Sequence, residues 1–265
     1  MTTKAPAKKA SARVTVTIDG RTSQVENGTT ILAAARQMGI AIPTLCHYRG
    51  LSPYGACRVC LVEIDTPRGP KLVASCSHPI DAALDVRTDT AAVRDARRTV
   101  VELLLAQAPD STDLAKFAAD LGVADTPFEK AKEGKCVLCG LCVRTCASLP
   151  KAEAIAFSSR GTGRKVSTPF DLPSLQCLAC GACTYVCPTG AIQMEAETVN
   201  RLRRLPGLER KCRYMLMGLV SSKLCPNDYD CARCTFDQTM ELRLGTHPAF
   251  ALEESGSDDH PNQDR

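Results

Sequence analysis

The chain has 265 residues, 44% of them apolar, with a formal net charge of +4, sixteen cysteines and no tryptophan. That length accommodates two or three small domains, the scarcity of aromatics excludes a large aromatic core, and so small a net charge says little about nucleic acid. No run approaches the roughly 18 consecutive apolar residues of a membrane span, and MTTKAPAKKASARV lacks the apolar centre of a secretory signal. The thiols are therefore expected in a reducing, cytoplasmic setting, as metal ligands rather than disulfides.

In chain order, residues 1–12, with Lys4, Lys8 and Lys9, read as a disordered basic tail. Alternating Val14, Val16 and Ile18 predict a strand, Asp19-Gly20 a hairpin turn, and residues 22–26 its partner strand. Thr30 caps a helix over ILAAARQM that Gly39 terminates, and VCLVEI and KLVAS supply further strands. This succession, over residues 13–88, predicts a ferredoxin-like β-grasp domain. Thr88 or Asp89 begins a helix whose apolar side is Val93, Val100, Val101, Leu104 and Leu105, ended by Pro109. Asp110-Ser111 caps a second helix that reaches Leu121 and stops at Gly122, so 89–130 reads as a helical linker. Residues 131–196 carry an internal cysteine repeat and 205–245 a smaller cysteine-rich module. Residues 250–265 read as a disordered acidic tail. The fold class is α+β.

The repeat is the most specific motif. Cys136, Cys139, Cys142 and Cys146 have the spacing C-x2-C-x2-C-x3-C, and Cys177, Cys180, Cys183 and Cys187 repeat it, with Pro188 following. In two-cluster ferredoxins the fourth cysteine of each run ligates the other cluster. The expected sets are Cys136, Cys139, Cys142 and Cys187 on one [4Fe–4S] cluster, and Cys177, Cys180, Cys183 and Cys146 on the other. Gly140, Gly181, Ala179 and Ala182 let backbone N–H groups approach the cluster sulfurs. Ala147 replaces the usual proline without removing a ligand. Zinc is the alternative, though its sites favour paired knuckles over four-cysteine runs.

Cys46, Cys57, Cys60 and Cys76 have the layout of a [2Fe–2S] ferredoxin, although ten residues separate the first two where plant-type proteins have four. Gly55-Ala56 suggests a loop packed closely on inorganic sulfide; a tetrahedral zinc site is the alternative. His47 and His78 read as loop or surface histidines, with replacement of a thiolate or donation to a cluster sulfur as the alternative, and Arg58 as support for the loop or a partner contact. Met215, Met217 and Met240 read as packing. GTGRK at 161–165 is a turn, and the basic run Arg201 to Arg213 is a solvated surface or, alternatively, a dock for an acidic partner. No GxGxxG follows a strand and no phosphate-binding loop or flavin site is evident.

Residues 14–193 resemble a known family. The resemblance runs through IPTLCHYRGLSPYGACRVCLVEI, ASCSHPI and VRTDTAAVRDARRTVVELLLAQAP, then resumes at KCVLCGLCVRTC. It is similar to the N-terminal part of the large iron–sulfur subunit of NADH:quinone oxidoreductases. It resembles equally the small iron–sulfur subunit of NAD-reducing hydrogenases, and the front end of iron-only hydrogenases and NAD-linked formate dehydrogenases. In that family the helix matching VVELLLAQAP is followed by a histidine and three cysteines that bind another [4Fe–4S] cluster. Here AQAPDSTDLAKFAAD contains neither residue type: Ala108 precedes the proline, and Asp110, Ser111 and Thr112 follow. Hydroxyls and a lone carboxylate are poor substitutes for thiolates at iron, so this site is lost. Electrons then jump directly, or the N-terminal domain is mobile or a side branch.

Cys212, Cys225, Cys231 and Cys234 form one further four-thiol set, suited to zinc or to an additional [4Fe–4S] cluster. It is similar to a small module appended to some bacterial redox and signalling proteins. The resemblance implies a non-catalytic electron-transfer subunit of a cytoplasmic oxidoreductase. It would relay electrons between a separate flavin subunit that binds NAD(H) and a catalytic partner such as a hydrogenase, formate dehydrogenase or other reductase. The alternative is an iron–sulfur redox sensor or assembly module.

Overall fold

The computed structural model describes residues 12–194 and 196–250, which divide into two compact units. The first comprises residues 12–45 and 53–103, the second 46–52 and 104–250. Among the described residues no helix is long and apolar enough to cross a membrane.

The first unit is built on β1 (Arg13–Ile18) and β2 (Arg21–Glu26), antiparallel with Val16 opposite Ser23. Period-two alternation decides the faces. Val16 and Ile18 are fully buried, while Thr15 and Thr17 bond Gln24 and Thr22 on the exposed face. Asp19 and Gly20 have φ of 48° and 78°, the two left-handed residues of a type I′ turn. In α1 (Ile31–Gln37) the Thr30 hydroxyl accepts from the Ala33 N–H at 3.2 Å, and Gly39 at φ 70° ends the helix, as expected. Strands β3 (Leu61–Thr66) and β4 (Gly69–Ala74) form the second hairpin.

Strand β5 (Leu84–Arg87) was not expected from the sequence. It lies parallel to β1 and antiparallel to β3, closing a five-stranded sheet of order β2-β1-β5-β3-β4. Ile31, Leu32, Ala34 and Ala35 of α1 share one core with Val16, Ile18, Val62, Ile64 and Val86. A mixed sheet packed on a single helix is the β-grasp arrangement.

Helix α2 (Ala91–Gln107) runs from the first unit into the second. It begins later than Thr88 or Asp89. The Thr90 hydroxyl accepts from Val93 N–H at 3.2 Å, whereas Thr88 donates its N–H and hydroxyl to the Asp19 carboxylate at 2.8 and 2.6 Å. Val93, Val101 and Leu104 are buried, Val100 and Leu105 partly so.

In the second unit, α3 (Thr112–Asp120) has Ser111 as its N-cap, accepting from Leu114 N–H at 3.1 Å. Then follow α4 (Leu141–Ser148), the hairpin of β6 (Ala156–Ser158) and β7 (Lys165–Ser167) around the GTGRK turn, and α5 (Ala182–Tyr185). The chain continues through α6 (Ala196–Arg203), α7 (Arg213–Leu216) and α8 (Thr235–Leu244). The tails expected over 1–12 and 250–265 lie outside the described residues apart from Ala12 and Phe250, and Phe250 is buried.

Candidate metal centres

In the first unit the β3–β4 register pairs Leu61 with Ala74, which sets Cys60, just before β3, beside the residues just after β4. Ser75 N–H accordingly donates to the Cys60 carbonyl at 3.1 Å. Cys57, Cys60 and Cys76 are all buried. Arg58, between the first two, is exposed with φ 61°, a loop role as expected. Gly55 at φ 68° packs against Ser77, whose hydroxyl oxygen a Cβ would meet at 3.1 Å. Sequence reasoning missed Arg97 of α2. Its guanidinium donates to the carbonyls of Val59 (3.1 Å), Leu61 (2.9 Å) and Thr88 (3.3 Å), fixing the backbone on both sides of Cys60.

The second unit includes the stretch from Cys46 to Ser52. Cys46 is buried; Arg144 of α4 donates to its carbonyl at 2.7 Å and to that of Ser52 at 2.6 Å. Arg144 lies between Cys142 and Cys146 on the same helix. His47 and His78 are half-buried.

The internal repeat is visible in the backbone. Leu138 and Ala179 occupy equivalent left-handed positions at φ 52° and 50°, and Gly140 and Gly181 follow at 74° and 80° as N-caps of α4 and α5. Left-handed backbone costs a non-glycine residue roughly 1–2 kcal/mol, so surrounding structure must impose it at Leu138 and Ala179. Backbone N–H groups meet sulfur at three of these cysteines: Leu138 N–H, in the first turn, donates to Cys136 Sγ at 3.4 Å, and in the loops after the helices Ala154 donates to Cys146 Sγ and Ala191 to Cys187 Sγ at 3.3 Å.

Burial pushes the Cys139 and Cys183 thiols up to about 11 and about 12, and raises Cys136, Cys142, Cys146 and Cys180 as well. After burial, neighbouring thiolate charge adds to the rise. Cys187 contributes at Cys136, Cys139 and Cys142, and Cys146 contributes at Cys180 and Cys183. Thiols gathered this way stay protonated at neutral pH unless a metal replaces the proton. Among the described residues no three or more His, Cys, Asp or Glu side chains are grouped to hold a single metal ion. Zinc needs its thiolates about 2.3 Å from one point, whereas each thiolate of a cubane binds a separate iron corner.

Buried polar atoms give an independent test of fit. The hydroxyls of Ser75 and Thr145 and the Nε of Arg213 are buried without a hydrogen-bond partner among the described residues. Each belongs to a residue next to a cysteine: Cys76, Cys146 and Cys212. An unsatisfied buried donor costs about 1–3 kcal/mol; inorganic sulfide and thiolate are acceptors that remove that cost. The residues present thus fit sulfur-bridged iron.

The cysteine-free linker braces a ligand loop. Ser111 Oγ donates to the Thr189 carbonyl at 3.0 Å, and a Cβ on Gly190 would come within 3.2 Å of Asp113 Oδ2. Asp110 Oδ2 accepts from Gly134 N–H at 2.7 Å.

The basic run is divided: Arg203, Arg204 and Lys211 are exposed, as expected of a solvated face, whereas Arg213 is buried and several of its members bond backbone carbonyls. Arg201 donates to the Cys177 carbonyl (3.2 Å), Arg203 to that of Asp228 (2.7 Å), and Arg210 pairs with Asp228 at 2.5 Å. Arg213 donates to the Cys180 carbonyl at 3.1 Å and pairs with Asp237 and Glu241. His247, also missed, meets that carbonyl through Nε2 at 2.9 Å while Nδ1 accepts from Ala249 N–H, which sets the proton on Nε2. Met217 is buried and Met215 and Met240 partly so, consistent with packing.

Comparison with known proteins agrees with this geometry. A family described as a 2Fe-2S iron-sulfur cluster binding domain matches residues 11–91, and one described as a 4Fe-4S dicluster domain matches 135–191. The NADP-reducing hydrogenase subunit HndD of Solidesulfovibrio fructosivorans is 33% identical over 68% of this chain and 36% of its own length. The mitochondrial NADH-ubiquinone oxidoreductase 78 kDa subunit of Candida albicans is 30% identical over 68% of this chain and 28% of its own. The chain thus spans about a third of the length of these relatives. A chain from the crystal structure of an NAD+-reducing [NiFe]-hydrogenase shares the fold, with TM-score 0.61 and 23% identity over 78% of this chain and 100% of that one. The protein thus combines a 2Fe-2S iron–sulfur cluster binding domain with a 4Fe-4S dicluster domain, in a chain homologous to hydrogenase and NADH-oxidoreductase subunits.

Proposed function

We propose that the chain is the electron-transfer subunit of a multisubunit, NAD(H)-linked oxidoreductase in the cytoplasm. It relays electrons between a separate flavin subunit that binds NAD(H) and a catalytic partner such as a hydrogenase, formate dehydrogenase or other reductase. Cys46, Cys57, Cys60 and Cys76 ligate the [2Fe–2S] cluster. Cys136, Cys139, Cys142 and Cys187 ligate one [4Fe–4S] cluster, and Cys146, Cys177, Cys180 and Cys183 the other. The names of the relatives, which are hydrogenase and NADH-oxidoreductase subunits, support this reading.

Each cluster accepts or releases one electron, whereas a nicotinamide exchanges a hydride, so the flavin belongs on a partner. This chain's residues position and tune: backbone N–H groups on Cys136, Cys146 and Cys187 favour added negative charge, and Arg97 holds the loop at Cys60. The observation that carries the reading is the cysteine repeat: Leu138 with Gly140 and Ala179 with Gly181 form the same left-handed turn ahead of the two helices that bear Cys142, Cys146 and Cys183.

The test is anaerobic purification of the complex through a tag on this chain. Freeze-quench EPR after NADH addition is expected to show [2Fe–2S] and [4Fe–4S] reduction in the complex, and none in the isolated chain. A copurifying complex without flavin, or NADH reduction of the isolated chain, overturns the reading.

A further inference from the structure

The segment after residue 205 carries a site outside both family matches. A bridge between Lys211 and Leu224 sets Cys212 beside Cys225, with Cys212 N–H donating to Lys223 O at 2.9 Å and Cys225 N–H to Arg210 O at 2.6 Å. The chain then turns through Asp228 and Tyr229, both left-handed at φ 45° and 58°, and Tyr229 N–H donates to Cys225 Sγ at 3.3 Å. That is the same four-residue N–H to sulfur step as Ala191 to Cys187. Cys231 and Cys234 follow, the latter at the start of α8.

All four cysteines line one small cleft. Its walls are Tyr214, Phe236, Tyr229 and Pro226, with Arg213 and Lys223 as its cations and Asp230 and Asp237 as its acids. Tyr214 is buried and stands edge-on to Phe236 at 5.4 Å; Lys223 Nζ covers the Phe236 ring at 4.0 Å. Arg213 combines two features. Its Nε is a buried donor without an acceptor among the described residues, and its Nη1 reaches the carbonyl of Cys180, a residue of the ferredoxin repeat. Arg201 and His247 make parallel contacts to the carbonyls of Cys177 and Cys180. An isolated structural zinc knob gives no reason for two side chains of this segment, with Arg201 of α6 beside them, to converge on one ferredoxin loop.

We propose that Cys212, Cys225, Cys231 and Cys234 bind a further [4Fe–4S] cluster, and that Arg213 couples its charge state to that of the ferredoxin cluster ligated by Cys180. The binding half stands alone, whereas the coupling half rests on the proposed role of Cys180. A four-thiolate cubane is negative in either oxidation state, and Arg213, placed against both sites, favours the added electron on each.

The test uses the full chain purified without oxygen, with iron, acid-labile sulfide and zinc measured on wild type and on Cys225→Ser/Cys231→Ser. The expectation is about fourteen irons per chain falling to about ten, with sulfide falling equally and no stoichiometric zinc. About ten irons plus one zinc, the zinc lost in the variant, overturns the cluster. So does an iron content that the variant leaves unchanged. A wild type short of fourteen whose variant still loses four irons counts against the ferredoxin assignments and leaves this one standing. For the coupling, EPR-monitored titration of Arg213→Gln is expected to make two [4Fe–4S] signals roughly tenfold harder to reduce, about 59 mV each. Arg213→Lys is expected to restore most of that. Glu241→Gln, at a half-exposed partner of Arg213, tolerates substitution and is expected to shift both signals the opposite way. Potentials unmoved in Glu241→Gln and in a folded Arg213→Gln overturn the coupling.

Discussion

Arginines at single positions do much of the work that the cysteine pattern leaves unstated. Arg97 is the clearest case in the first unit. Burial lowers its pKa, yet it stays charged at neutral pH because a guanidinium titrates so high. Hydrogen bonds from a charged donor contribute about 1.5–3 kcal/mol each, and three carbonyls depend on this one side chain. Arg97→Ala is therefore expected to destabilise the first unit by about 2–4 kcal/mol and to broaden the [2Fe–2S] EPR signal. Chemical denaturation and EPR of the same preparation check both; unchanged stability would remove Arg97 from its positioning role. Arg87 instead pairs with carboxylates, those of the exposed Asp65 and the largely buried Glu63, and at so accessible a guanidinium such pairs contribute little.

Among the elements, α3 has acquired a duty that its composition conceals. Ser111 caps it and simultaneously holds Thr189, two residues beyond Cys187. Ser111→Ala loses the cap, worth about 1 kcal/mol, and leaves a buried carbonyl unpaired at a further cost of about 1–3 kcal/mol. The variant is expected to melt earlier and to lose iron from one [4Fe–4S] site first; equal loss from all sites would show that the brace is not local. The caps themselves were legible from sequence, because Thr30 and Ser111 act on residues three positions away. The Asp19-Gly20 turn and the repeat of thiols were legible for the same reason. Strand β5 was not: of its four residues only Val86 is fully buried, and its partners β1 and β3 are remote in sequence. The start of α2 moved to Thr90 because Asp19, equally remote, engages Thr88. Nor could spacing reveal that Arg144, Arg201, Arg213 and His247 serve the carbonyls of particular cysteines.

Across the molecule the two units are stabilised by different means. The first has a continuous aliphatic core of Val, Ile, Leu and Ala. The second has short helices, and many of its buried apolar residues are cysteines or their immediate neighbours, such as Val137, Leu141 and Ala182. Iron should therefore matter unequally. Stripping the clusters with oxidant and chelator is expected to collapse amide-exchange protection in α4, α5 and the segment around Cys212, and to leave β1, β2 and α1 protected. Equal loss throughout would contradict this division. The cysteine-free stretch adds a constraint on how such a molecule is remade. Ala108, Ser111, Leu114 and Ala118 are nearly or wholly inaccessible, whereas Asp110 and Thr112 are exposed, so a larger side chain at any of the four buried positions has no room without a shift of α2 or α3. Installing a histidine and cysteines here would mean repacking two helices and releasing the Cys187 loop at once.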